Sequence, residues 1–233
     1  MGLMPLAVAP GVAICIFIYL KDKYNREPLG LLLVSFILGM FSIIPAIMLQ
    51  LLSHTSLESL AGKTIAQVAI FAFLIVGVSE EGRKYIMIRL FAYRRKAFDE
   101  PFDGIVYVVM VGMGFATLEN IGYVLQHGMG TGILRMFLSV PAHATFAILM
   151  GYHLGLAKFD AANRKKYLFL AVFWPVTFHG TYDYFLFLGN TILHVAGAII
   201  SFIVAIQLSK KAIRKHEVLS KETYGNNNNH SLL

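Results

Sequence analysis

Glu80 and Glu81 stand side by side in an otherwise apolar stretch, residues 64–93, with Arg83 and Lys84 just beyond them. An ionisable side chain at the centre of a membrane helix costs roughly 2.5–3.5 kcal/mol on the insertion scale and is retained chiefly where it is paired or used. Further polar residues recur in other apolar stretches: Glu119 and Asn120, His143 two residues after Pro141, and His179 with Asp183. A buried carboxylate with two histidines and amide donors suits attack by water on a carbonyl. Glutamate takes the proton from water, while histidine and asparagine stabilise the oxyanion that develops. The same residues suit a zinc ion, with His143, His179 and a glutamate such as Glu119 as ligands and another glutamate as base. Neither HExxH nor GxSxG occurs, so the familiar zincin and serine-hydrolase signatures are absent. The single cysteine, Cys15, excludes an intramolecular disulfide and a cysteine-based metal cluster.

Spacing divides these residues into roles. Glu80 and Lys84 are four apart and share a helix face, where a charge pair lowers the cost of burying both. His179 and Asp183 repeat that spacing, so the carboxylate can orient the imidazole, and Glu119 repeats it with Tyr123. Adjacent Glu80 and Glu81 point about 100° apart on a helix and cannot act alike. Counting about 1.5 Å per residue from the expected outer helix ends puts Glu80 about 24 Å deep, Glu119 about 9 Å, His143 about 15 Å and His179 about 13 Å. Glu80 is therefore expected deeper than its partners. Asp103, Arg83 and Tyr123 are read as structural, and His54, His127, His153 and His194 as surface or packing histidines.

The elements that must hold these side chains are membrane helices. The chain has 233 residues, 57% of them hydrophobic and only 14% charged, where a soluble domain would carry about a quarter charged. About seven apolar stretches are long enough to cross a hydrocarbon layer of about 30 Å: residues 3–20, 29–52, 64–93, 104–125, 133–157, 167–188 and 191–208. In lipid each must satisfy its backbone internally, so the fold class is all-α, a polytopic transmembrane helix bundle. No charged residue precedes the first stretch, which reads as a retained helix rather than a cleavable signal. Lys and Arg cluster after the first, third, fifth and seventh stretches, at residues 21–26, 94–96, 158–166 and 210–221, and are nearly missing from the other connections. The positive-inside rule then puts the N-terminus outside and the C-terminus in the cytoplasm.

Net charge is +7, which on a membrane protein implies anionic lipid headgroups as partners. No basic and aromatic platform for nucleic acid is visible. Residues 1–208 read as one membrane domain, and residues 209–233, polar and ending in an asparagine run, as a disordered cytoplasmic tail. Gly112 and Gly114 are expected to allow close helix approach. An ion-coupled transporter is the main alternative, since buried Glu, His and Asp can relay protons. Against it stands the lack of a two-fold repeat or matched broken helices. A non-catalytic membrane scaffold is a third reading, though it has no need of four buried ionisable motifs.

Four motifs in order, Glu80-Glu81-Gly82-Arg83-Lys84, Phe102-Asp103-Gly104 with Gly114 to Ile121, Pro141-Ala142-His143, and His179-Gly180-Thr181-Tyr182-Asp183, resemble those of the PrsW family of intramembrane proteases. That family looks like a distant branch of the prenyl-protease and bacteriocin-immunity superfamily. The resemblance implies a protease of the bacterial plasma membrane that makes the first cut in a membrane-anchored anti-sigma factor. It implies catalytic roles for Glu80 or Glu81 as the base, for His143 and His179 at the carbonyl, and for Glu119 near the water or the histidines. Lys84, Asn120 and Asp183 would support them. Asp183 stands where the superfamily has an asparagine, and an ionised aspartate would repel a developing oxyanion.

Overall fold

The computed structural model describes residues 2–52, 63–189 and 191–224, and all the elements it shows are helical. They are α1 (Leu3–Lys21), α2 (Leu29–Leu52), α3 (Ile65–Ile70), α4 (Val78–Leu90), α5 (Pro101–Phe137), α6 (Ser139–Phe159), α7 (Arg164–Phe187) and α8 (Ile192–Tyr224). Between α3 and α4 the chain runs through a π-helical stretch, Phe71–Gly77. Thr64 starts α3 with a reciprocal cap: its hydroxyl accepts the Gln67 N–H while the Gln67 side-chain oxygen accepts the Thr64 N–H.

The first half of α5 is the centre of the bundle. Residues 102–117 are all buried, as expected for a helix that is apolar all round. α1, α2, α4, α6 and α8 all pack on α5. Small residues set how closely they approach. A Cβ at Gly39 of α2 would overlap the Val111 carbonyl, and one at Gly114 would overlap that of Phe36. Gly112 faces Ala147 of α6. Outward-facing Ile16, Phe17, Leu33, Phe41 and Ile200 are exposed, an apolar periphery suited to lipid rather than water.

Four stretches are long and apolar enough to cross a membrane: Leu3–Lys21, Ile65–Arg94, Pro101–Phe159 and Ile192–Tyr224. The third of these contains both α5 and α6, and the apolar part of α2, Leu29–Pro45, is shorter. The expected count of about seven divides that third stretch in two and adds α2 and α7.

Several expected boundaries move. α5 does not end near residue 125 but continues past a non-helical Gly128, whose φ is 76°, to Phe137. The chain turns back there: a Cβ at Gly132 would stand 3.0 Å from Val124. Residues 133–137 therefore belong to this returning segment rather than to α6, which begins at Ser139. α8 runs on from residue 208 to Tyr224 and buries Ala212, Ile213, His216 and Ser220, so residues 209–224 are helix and not a disordered tail. These four recur at helical spacing, a narrow stripe easily lost among the lysines around it. His54, Asn190 and residues 225–233 lie outside the described residues.

Candidate active site

Four helices, α4, α5, α6 and α7, and the segment after Gly128 bring the polar residues together. In the π-helical stretch the Val78 N–H bonds back to the Phe73 carbonyl, widening the turn and rotating the face that α4 presents. The stretch also lies close against α7: a Cβ at Gly77 would stand 3.3 Å from the Val176 carbonyl oxygen, and one at Gly180 would overlap the Phe73 ring. His179, the neighbour of Gly180, thereby meets α4, its Nδ1 2.8 Å from Glu81 Oε1.

Glu81 is fully buried and held from two sides. Lys84 Nζ donates to the same Oε1 at 2.7 Å, and lies 3.9 Å from Glu80 Oε2. The Lys84 ammonium also sits 4.1 Å above the Phe115 ring and 3.3 Å from His143 Nδ1. An ammonium only donates, so Nδ1 of His143 accepts. Its Nε2–H then donates to Glu119 Oε2, 3.0 Å away. His179 Nε2 faces Asp183 Oδ2 at 3.2 Å and Glu80 Oε2 at 3.8 Å. The two imidazoles meet edge to face with centroids 5.0 Å apart, and Phe146 stacks on His179.

All five expected catalytic residues, Glu80, Glu81, Glu119, His143 and His179, thus belong to one connected cluster. The depth difference expected for Glu80 does not separate it from its partners, since ligand atoms of Glu80, His143 and His179 lie within 4.8 Å of one another. Lys84 and Asp183 also join. Asn120 does not face the reacting groups: its amide donates to the Ala7 carbonyl of α1 at 3.0 Å, and its oxygen accepts from Arg135 Nε at 3.1 Å.

Arg135 is the residue that sequence reasoning missed. It reaches Glu119 at 2.5 Å and lies 3.9 Å from the Tyr123 ring centre. It falls in the expected stretch 133–157, and an arginine within an apolar run, next to a connection poor in basic residues, is itself a signal that a carboxylate lies nearby.

The two adjacent glutamates differ in access. Glu80 and Glu119 are the charged residues of a cleft of about 480 Å³ between α2 and α5, otherwise lined chiefly by apolar side chains including Ile43, Ile44, Ile47 and Phe115. Glu81 is not part of its lining. Donor atoms of Glu80, His143 and His179 all lie within 4.8 Å of one another. The trio that converges therefore includes Glu80 in place of Glu119, and by donor type it fits a zinc ion. Glu81 beside His179 and Glu119 beside His143 would then be the outer carboxylates that orient metal-bound imidazoles.

Comparison with known proteins gives the family. Residues 27–208 match the family described as PrsW family intramembrane metalloprotease. The chain is 41% identical to Protease PrsW of Geobacillus kaustophilus, over 79% of this chain and 80% of that protein. It is 37% identical to Protease PrsW of Bacillus subtilis, over 79% and 83%, and 35% identical to that of Shouchella clausii, over 91% and 98%. No solved structure matches.

Proposed function

The chain belongs to the PrsW family and is a membrane-embedded protease of bacteria, and from that premise we propose that it hydrolyses a peptide bond with water activated by Glu80. The observation that carries this reading is the difference in access. Glu80 opens on the cleft and shares the convergent trio with both histidines, whereas Glu81 is sealed by Lys84 and His179. A single-span substrate whose helix unwinds between α2 and α5 would bring its carbonyl to Glu80. The Glu80 carboxylate takes a proton as the water oxygen bonds to the carbonyl carbon, and His179 donates to the oxyanion. Collapse breaks the C–N bond, and the Glu80 proton passes to the leaving amine. Glu81 and Asp183 hold the His179 ring, Glu119 holds His143, and Arg135 holds Glu119. Asp183 on this reading acts through the imidazole rather than on the oxyanion.

Glu80, His143 and His179 are also the residues that would hold Zn²⁺, which when bound supplies a water of lowered pKa and a Lewis acid for the carbonyl. Metal analysis of the purified protein, with loss or retention of activity in chelator, separates the two forms of the reaction.

The substrate we assign is a membrane-anchored anti-sigma factor cut at its first site. The chain would act as a multi-pass protein of the plasma membrane with about seven spans, its N-terminus outside and the basic ends of its helices against anionic lipid in the cytoplasmic leaflet. The test is incubation of the purified protein with a single-span anti-sigma substrate, followed by mass spectrometry for a new peptide terminus. A defined new terminus supports the reading. Uptake of label into vesicles with no cleavage would favour the transporter instead.

A further inference from the structure

A second cluster of carboxylates lies at the other end of α5, away from the residues above. Asp22 caps α1, Glu27 lies in the connection to α2, and Asp99, Glu100 and Asp103 surround the first turn of α5. Five of the chain's thirteen acidic residues are thus gathered in one place. One carboxylate oxygen from each of Glu27, Asp99 and Asp103 lies within 4.8 Å of the others.

Each of these three is oriented by a partner that leaves it a second oxygen. Tyr107 donates its hydroxyl to Glu27 Oε2, Asn25 donates to Asp99 Oδ1 at 2.6 Å, and the backbone N–H groups of Asp99 and Glu100 donate to Asp103 Oδ2 at 2.7 and 2.8 Å. Asp103 is completely buried, yet its Oδ1 accepts no hydrogen bond, and neither do Asp22 Oδ1 and Glu100 Oε2 beside it. Buried carboxylate oxygens facing one another without a positive charge are costly. No Lys, Arg or His forms an ion pair with any of the five among the described residues. Two cations lie nearby: Arg26 donates to the Asp22 backbone carbonyl at 3.2 Å and lies over the Tyr19 ring, and Lys158 donates to the Tyr93 and Arg95 carbonyls and lies over the Phe98 ring.

We propose that Glu27, Asp99 and Asp103 hold a hard divalent cation of the Mg²⁺ or Ca²⁺ class. Oxygen ligands alone, with no imidazole or thiolate, select such an ion over zinc. Asp99 is exposed and gives it a way in, while Tyr107 and Asn25 orient the ligands from outside. The ion ties the α1–α2 connection to the first turn of α5. Since α2 and α5 are the walls of the cleft, it holds their common end in register.

The test uses the full chain, purified in detergent and stripped with chelator. MgCl₂ or CaCl₂ should raise the thermal midpoint saturably, by about 5 °C at a hundredfold excess over the dissociation constant, where NaCl of equal ionic strength does not. Asp99→Asn, an exposed change, and Glu27→Gln should each abolish that rise, while Glu80→Gln should keep it. Mn²⁺ followed by electron paramagnetic resonance should bind in a one-to-one site lost in Asp99→Asn but present in His143→Ala. Absence of any divalent-specific rise, or the same rise in Asp99→Asn and Glu27→Gln as in the natural chain, would overturn the assignment. None of these readouts depends on cleavage, so the proposed function and this site can fail separately.

Discussion

Replacing Lys84 by methionine removes one charge and keeps most of its bulk, so its effect isolates the electrostatics of the cluster. Lys84 is 1% exposed and Glu81 is fully buried. At an effective dielectric constant of about 20, unit charges at the observed 2.7 Å and 3.9 Å attract by about 6 and about 4 kcal/mol. Most of this attraction offsets the several kcal/mol that each ion loses in leaving water. Taking the ammonium away leaves the buried Glu81 with His179 but without the charge that offsets most of its desolvation, and we expect Lys84→Met to cost about 3–5 kcal/mol. Glu81→Gln added to Lys84→Met removes the stranded charge. The double variant should therefore be more stable than the sum of the single losses by about 2 kcal/mol. Equilibrium unfolding in mixed detergent micelles, followed by fluorescence of Trp174, measures all four species of the cycle. A Lys84→Met protein within about 0.5 kcal/mol of the natural chain, or strict additivity in the cycle, would refute the reasoning.

Other expectations follow from neighbouring contacts. Arg135→Gln should leave the protein folded but lower cleavage about 10- to 100-fold by releasing Glu119, and Arg135→Lys should recover part of the loss in the same peptide assay. Gly114→Val drives a branched side chain into the Phe36 carbonyl, so the α2–α5 contact should fail and membrane abundance fall, by more than the about 1–3 kcal/mol of ordinary overpacking; immunoblots of membrane fractions report it. The carboxylates outside the membrane stretches give a pH dependence. Burial pushes Asp22 up to about 6, and Glu27 and Glu100 up to about 7. The folded chain therefore holds protons that the unfolded chain, with ordinary carboxylates near pH 4, has released. Their stabilisation is complete below about pH 4 and lost as pH rises through 6 to 7. This site is faced by Arg26, Asp99, Asp103 and Tyr107, by Lys158 of α6 and by Tyr224 of α8. In chelator, the thermal midpoint should be higher at pH 5 than at pH 8, and a flat profile would count against the buried cluster.

Much of the active cluster was legible because its chemistry is local in sequence. Charges are so rare in apolar helices that Glu80, Glu81, Glu119, His143, His179 and Asp183 announce themselves, and spacing of four pairs Glu80 with Lys84 and His179 with Asp183. The glycines at 112 and 114 likewise announced close helix packing. What could not be read was any feature that depends on where the chain reverses direction. Gly128 adopts a positive φ in the glycine-rich connection between the expected stretches 104–125 and 133–157, and α5 continues past it to Phe137, so Arg135 falls in the stretch expected as the next span and its pairing with Glu119 was not legible. Asn120, expected to support the catalytic residues, stands next to Glu119, yet a step of one residue on a helix turns a side chain by about 100°, here toward α1. The π-helical stretch before Glu80 has no compositional mark. The carboxylate cluster around Asp103 gathers residues from positions 22 to 103, and only the folded chain brings them together.

The central claim is that Glu80, rather than its neighbour, activates the water. Purified Glu80→Gln protein, shown by its unfolding curve to be folded, should cleave a single-span anti-sigma substrate about 10²- to 10⁴-fold more slowly than the natural chain. A folded Glu80→Gln protein that cleaves at the natural rate would contradict the account.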